Sequence, residues 1–379
     1  MKRCLLLSII IILLLPPGRP ASGQDQPKLI GEIEFFGYSG IDLDKIRAEL
    51  PFQEKERFVG EIFAEKLERA REAVKSVTGR WPTEISNTCC DSQGNWIIFI
   101  GLSGKIIHYA PHPRGTIRLP EKILDLYERF MTLNMESVQK GRFAEDQSKG
   151  YALSEYPPLR SAQLEMRAYA VTHGALLRSV LEGSREDRER IAAAELLGFS
   201  RQSDAQLASL IRATRDGNST VRNNATRALF VLAMSKSKIA TRIPVAGFIE
   251  LLLSGTWTDL NKSSNLLAII TESRDRKVLA QLHRKEVLER LIEMARWRSH
   301  GVPAAMILGR IAGIDEGRLR QLITEGEVEI VIRELQDRLG QRSLSSLPAD
   351  SYIRSLWPRS ESFDVISGRR RPSSFNSRN

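Results

Sequence analysis

Residues 221–229 read Val221-Arg222-Asn223-Asn224-Ala225-Thr226-Arg227-Ala228-Leu229, and the spacing of Ala225 to Leu229 decides the fold. A small residue four positions before a leucine lies one helical turn from it, on the same face. The small side chain admits a neighbouring helix and the leucine fills the seam. The pair recurs as Ala193/Leu197, Ser263/Leu267 and Ala304/Leu308, at steps of 32, 38 and 41 residues. Three positions after each leucine, Ser200, Leu232, Ile270 and Ile311 continue the stripe. Ahead of Ala225, the run Leu207, Leu210, Ile211 and Thr214 marks an earlier helix, Asp216-Gly217 turns the chain, and Asn218 caps the second helix. Self-similarity at this period, with two helices per unit, predicts a stacked helical array over residues 159–340.

The run 221–229 resembles the second helix of a HEAT repeat. Arg190-Ile191-Ala192-Ala193-Ala194-Glu195-Leu196-Leu197-Gly198 repeats it, with Asp187 nearby. The resemblance implies an all-α, armadillo-like solenoid, and it puts Asp216 and Arg222 at the family's turn acid and helix-start arginine. Later units carry Leu260 and Gly301 where Arg222 stands, so the acid–arginine pairing between neighbouring turns is expected to stop before them. Their first helices, around Val245-Phe248-Ile249-Leu252 and Leu288-Leu291-Ile292-Ala295, keep the helical period. A last unit, Leu319-Leu322-Ile323 with Val331-Ile332-Leu335, reads as the cap an array end needs. Arg185, Arg188, Arg201, Arg212 and Arg215 alternate with Glu182, Glu186, Asp187, Glu189 and Asp204, the pattern of a mixed solvated face. His173, His283 and His300 stand alone on helices, and Trp257 and Trp297 read as packing residues.

Upstream, residues 28–140 read as an α+β domain with a connecting helix. Leu29, Gly31, Ile33 and Phe35 alternate with Ile30, Glu32, Glu34 and Phe36, a strand period closed by Gly37. Asp42 or Asp44 caps a short helix that Pro51 stops, and a longer helix runs from about Val59 to Val77. Trp81–Cys89 and Asn95–Gly101 read as strands joined by the turn Asp91-Ser92-Gln93-Gly94. The order β-α-α-β-β, with Ile30-x-x-Ile33-x-Phe35-x-Gly37, resembles a polypeptide-transport-associated (POTRA) domain over residues 28–102. The resemblance implies a small sheet whose edge accepts a partner's strand. Lys105–Tyr109 reads as an extra strand, and after Pro120 the run Ile123, Leu126, Tyr127, Phe130 and Met131 makes an amphipathic helix. Residues 141–158, with Gly141, Gly150, Pro157 and Pro158 bounding polar sequence, read as a linker.

Chemistry-bearing residues are sparse. Adjacent side chains on a strand point to opposite faces, so Cys89 and Cys90 disfavour a relaxed internal bridge. Two buried thiols, an intermolecular bridge and a strained vicinal disulfide remain open, and both residues are flagged as disulfide-forming or reactive. His108 and His112 sit in a proline-bounded loop, off the i,i+4 geometry of zinc helices and without a third ligand nearby. No metal, cofactor or catalytic residue is assigned.

The ends point to the compartment. Lys2 and Arg3 precede the apolar run Leu5–Leu15, Pro16-Pro17 breaks it, and Ala21-Ser22-Gly23 sets up cleavage between Gly23 and Gln24. Residues 1–23 thus read as a secretory signal peptide, too short in its apolar part to span a bilayer in the ordinary way. The periplasm is the expected location, with full secretion or an uncleaved amino-terminal anchor as alternatives. The net charge of +10 falls to +7 without Lys2, Arg3 and Arg19, and residues 341–379 carry +4 of that. This tail is basic and too poor in apolar residues to fold alone, and it suits anionic polymers or a membrane surface. No specific nucleic-acid partner is expected. The functional expectation is an exported, non-enzymatic scaffold or adaptor that binds envelope proteins through a sheet edge and the array surface. The alternatives are an enzyme resembling HEAT-like bilin lyases, and a binder of anionic envelope polymers through the tail.

Overall fold

The amino-terminal sheet lies against the helical array and shares its core. The computed structural model describes residues 29–57, 60–105 and 107–340. The cleavage site at Gly23 and Gln24 and the basic tail lie outside the described residues. The first part runs β1 (Ile30–Phe36), α1 (Leu43–Glu49), α2 (Gly60–Thr78), β2 (Glu84–Cys89) and β3 (Trp96–Gly101). Asp42 caps α1 by accepting from the Asp44 and Lys45 amides. Strand β3 is central, parallel to β1 and antiparallel to β2.

Strand alternation sends the two faces of this sheet to different neighbours. Ile33, Phe35, Ile98 and Ile100 pack with Ile46, Phe52, Phe63, Ala70 and Val74 in a local core. Phe36, Ile97 and Phe99 point the other way and join the core of the array. A register shift between Ile30 and Glu32 moves Ile30 from the face its parity assigns into the local core.

After β3 the chain runs to α3 (Glu121–Gln139) and then to a small hairpin of β4 (Glu145–Asp146) and β5 (Leu153–Ser154). The expected linker is therefore partly ordered as paired strands. Helices follow as α4 (Pro157–Gly183), α5 (Asp187–Gly198), α6 (Asp204–Ala213), α7 (Ser219–Ser235), α8 (Ser237–Ala240), α9 (Val245–Leu252) and α10 (Trp257–Ile270). A 3-10 turn at Thr271–Ser273 leads to α11 (Arg276–Gln281), α12 (Lys285–Ala295), α13 (Val302–Ala312), α14 (Glu316–Thr324) and α15 (Val328–Leu339). Helices α5, α7, α10, α13 and α15 pack on one another in that order, and α6, α9, α12 and α14 each pack on the helix that completes their pair.

The expected strand at Lys105–Tyr109 is not found among the described residues of that range. Backbone bonds instead lay the described residues between 102 and 119 as an extended strap across the turns inside successive helix pairs. Arg185 N donates to Gly115 O, Ala110 N to Arg215 O and Lys105 N to Leu253 O, at 2.7–2.8 Å. The strap thus crosses the array in reverse sequence order, five residues per unit. Two glycines permit this approach, since a Cβ on Gly115 would sit 2.4 Å from Gly183 O and one on Gly104 2.3 Å from Gly255 N.

Candidate functional site

The repeat residues lie deepest. Ala193, Leu197, Ala225, Leu229, Ser263, Leu267, Ala304 and Leu308 are all fully buried, one pair on each of α5, α7, α10 and α13. Ser263 is polar, and its hydroxyl is satisfied by donating to Asp259 O and Leu260 O.

Asp216 and Arg222 adjoin, but their side chains do not pair with each other. Asp216 accepts from Arg190 of the preceding unit at 2.8 and 3.1 Å. Arg222 donates to the Asp216 carbonyl oxygen and, through Nε and Nη2, to Asp259 of the following unit at 2.9 and 2.8 Å. The acid–arginine chain therefore extends one unit further than the sequence pattern implies. Asp259 is the third residue of α10, in its first turn and outside the turn position of Asp216, which hides it from a motif read by spacing. Tyr109 of the strap lies over Arg222, 4.2 Å from guanidinium carbon to ring centroid.

Array and sheet meet at Trp297-Arg298-Ser299-His300, between α12 and α13, and each of these residues touches the sheet or its loops. Trp297 Nε1 donates to Phe35 O at 2.9 Å, and its ring packs edge-on against Phe36 and Phe99. Arg298 binds Glu34 and Glu54, and Ser299 donates to Glu32 Oε1 at 2.9 Å. His300 packs beside Phe99 and Trp257, which themselves stack at 4.7 Å between ring centroids. Four residues before Trp297, Glu293 in the last turn of α12 accepts from the Gly37 and Tyr38 amides at 2.8 and 3.0 Å. The histidine that looked isolated in sequence, and the tryptophan read as simple packing, thus belong to one junction.

Burial sets the protonation of this junction. It pushes the Glu32 carboxyl up to about 8, helped by neighbouring Glu34 and opposed by Arg298. Glu32 Oε2 is buried without a hydrogen-bond partner, as a carboxyl held neutral would allow. Burial also raises Glu34 and Glu293 above the usual carboxylate range despite Arg298 and Arg290 beside them. The same burial, with Lys262 nearby, lowers His300 to about 4, so it is neutral at physiological pH.

A second cluster lies on α5, α7 and α10, near enough to the junction for Lys262 to act on both His300 and Arg227. Arg227 donates to both carboxylate oxygens of Glu145, brought in by the β4–β5 hairpin, and lies 3.6 Å from Glu195. Tyr151, Phe199, Asn224 and Val231 complete a recess here of about 10 Å³. That is room for about one water, far below a metabolite site. Burial first, then Arg227, lowers Lys262 to about 8.

Cys89 and Cys90 are half-buried, not buried, and their sulfurs are joined to each other across a cis peptide bond. His112 pairs with Asp187 at 3.5 Å, and among the described residues no three His, Cys, Asp or Glu side chains group as metal ligands. Of the five surface arginines, Arg185, Arg188, Arg212 and Arg215 pair with Glu186, with Glu121 and Glu128, with Glu182 and with Glu250 respectively, while Arg201 is exposed. No helix among the described residues is long and apolar enough to cross a membrane. Compared with protein-family models, with curated proteins and with solved structures, the chain finds no significant match in any of the three.

Proposed function

We propose that this protein is an exported, non-enzymatic scaffold, a POTRA-like domain fixed on a HEAT-like α-solenoid, which holds protein partners of the cell envelope. The observation that carries this reading is the junction at Trp297–His300. It ties the small sheet to the array through a buried aromatic cluster and four buried or half-buried carboxyl groups, so two binding surfaces keep a fixed relation. Strand β2 pairs only with β3, which leaves its outer edge without a strand among the described residues. Such an edge accepts an extended segment by main-chain hydrogen bonding. The stacked helices add a long lateral surface of the kind repeat proteins use for macromolecules.

The test is crosslinking of the carboxyl-tagged chain in its native envelope, followed by mass-spectrometric mapping of the linked residues. The expected result is a recurrent protein partner linked to the β2 region or the array, with the mature chain beginning at Gln24 in the periplasmic fraction. Absence of any partner above a tag-only control would sink the scaffold reading. A small-molecule adduct left on a co-expressed protein would replace it with the lyase-type enzyme.

A further inference from the structure

At the turn between α12 and α13 the charges do not balance. Arg298 directs Nε and its backbone amide to Glu34, and both terminal nitrogens to Glu54. Arg47, from α1, adds a second cation 3.9 Å from Glu54. Two guanidinium groups thus stand against Glu34 and Glu54, and Glu32, two residues before Glu34 on the same face of β1, is left over. Among the described residues Glu32 Oε1 accepts from the Ser299 hydroxyl, while Oε2 is buried without a hydrogen-bond partner. The charged groups close enough to act on Glu32 are Glu34 beside it, Asp91 from the β2–β3 turn and Arg298 across the junction, so acids outnumber the cation.

A buried carboxylate without a counter-charge is costly, and a proton is the smallest group that removes the cost. We propose that the contact between β1 and the α12–α13 turn is a proton-controlled clasp: with a proton on Glu32 it holds the sheet against the array, and loss of that proton to solvent opens it. Opening returns Glu32 from about 8 to its ordinary 4.5, so between those values each opening releases a proton and is favoured as pH rises. His300, beside Phe99 of β3 and near Lys262, works the other way between 4 and 6.5. Below 6.5 the two oppose; from 6.5 to 8 Glu32 acts without that opposition, which gives up to about thirtyfold more opening. Glu34 and Glu293, also raised by burial, act in the same direction as Glu32. The clasp governs whether the two binding surfaces keep their fixed relation, and in that respect rests on the scaffold reading.

Hydrogen exchange of the full chain is the test, with each amide's rate divided by its intrinsic rate at the same pH. From the 6.5 of free His300 to the 8 of buried Glu32, protection of Ile33–Phe36 is expected to fall about tenfold or more, while α5 and α7 keep theirs. Glu32→Gln keeps an acceptor for Ser299 but has no proton to lose, so the fall should shrink by about tenfold. Glu72→Gln, at an exposed carboxyl on α2, should leave the fall as in wild type. In the wild-type chain alone, a protonated-carboxyl infrared band should be present at neutral pH and fade on alkaline titration, which keeps the test open if the variant folds poorly. An equal loss of protection in α5 and α7, an unchanged fall in Glu32→Gln, or no such band would overturn the clasp. If the envelope partner still crosslinks while β1 ignores pH, the clasp falls alone; if β1 follows pH and no partner is found, only the scaffold reading falls.

Discussion

From α4 to α10 the helix pairs are tied along one edge by their own arginines, Arg190 to Asp216 and Arg222 to Asp259, each reaching the acid of the next unit. At the following turn, between α12 and α13, the sheet takes the place of that rung. Strand β1 presents Phe35 O to Trp297 and Glu34 to Arg298, while the strap covers the three earlier turns. The front of the array is thus fastened by periodic charge pairs, and this later turn by a separate part of the chain. The comparison teaches that a helix pair can do without the arginine rung where another element supplies the contact, and that such an element is then needed for stability.

Removing Trp297 should test this most severely. Trp297→Ala empties the largest fully buried side-chain volume and strands Phe35 O, so a loss of about 3–5 kcal/mol is expected by urea unfolding. Hydrogen exchange should show β1 opening before α5 and α7; uniform loss of protection would mean that the sheet is no separate fastening. On the charge-pair side, Arg222→Ala leaves Asp259 buried and unpaired, at a cost of roughly 3–5 kcal/mol, whereas Arg222→Met with Asp259→Leu should recover most of it. A double variant as weak as the single one would argue against the pair as the cause.

The junction should respond to pH in a way the charge-pair edge does not. Glu32 has a folded value near 8, above its unfolded value, so its contribution is complete below about 4.5 and is lost as pH rises towards 8. His300 has a folded value near 4, below its unfolded 6.5, so its contribution is complete above 6.5 and is lost as pH falls towards 4. Between 4.5 and 6.5 the two slopes oppose, which predicts a plateau with losses on either side. Glu32→Gln should stabilise the protein by roughly 1–3 kcal/mol at pH 9 and little at pH 5. An equal effect at both pH values would show that Glu32 does not titrate in the folded state.

Smaller effects separate strap from surface. Gly115→Ala forces the strap off Gly183 O and should cost about 1–3 kcal/mol. Arg215→Ala loses a half-exposed pair with Glu250 and a bond to His108 O, and should cost no more than about 1 kcal/mol in a thermal melt. A larger loss from Arg215 than from Gly115 would reverse the roles assigned to side chain and backbone there.

Much of this was readable from residue spacing. Small-to-leucine pairs located four buried helices, and strand alternation located β1 and β3, because burial of one face imposes a period on the chain. Spacing did not reveal the strap, since its three anchoring bonds are made by backbone and its special residues are two glycines. It did not reveal Asp259, which serves Arg222 from a helix first turn. It did not reveal the burial of Glu32 and Glu34 either; they look like the solvent side of an ordinary amphipathic strand.

What the amino-acid sequence by itself determined here is periodic: which side chains face inward on each strand and helix, since each element carries that information within a few consecutive residues. Only the tertiary structure decided which surfaces are free. Residues 34–36 and 297–300 are more than 250 positions apart, and neither shows its partner locally, because a buried carboxylate or tryptophan acquires its meaning from the distant group that pays for its desolvation.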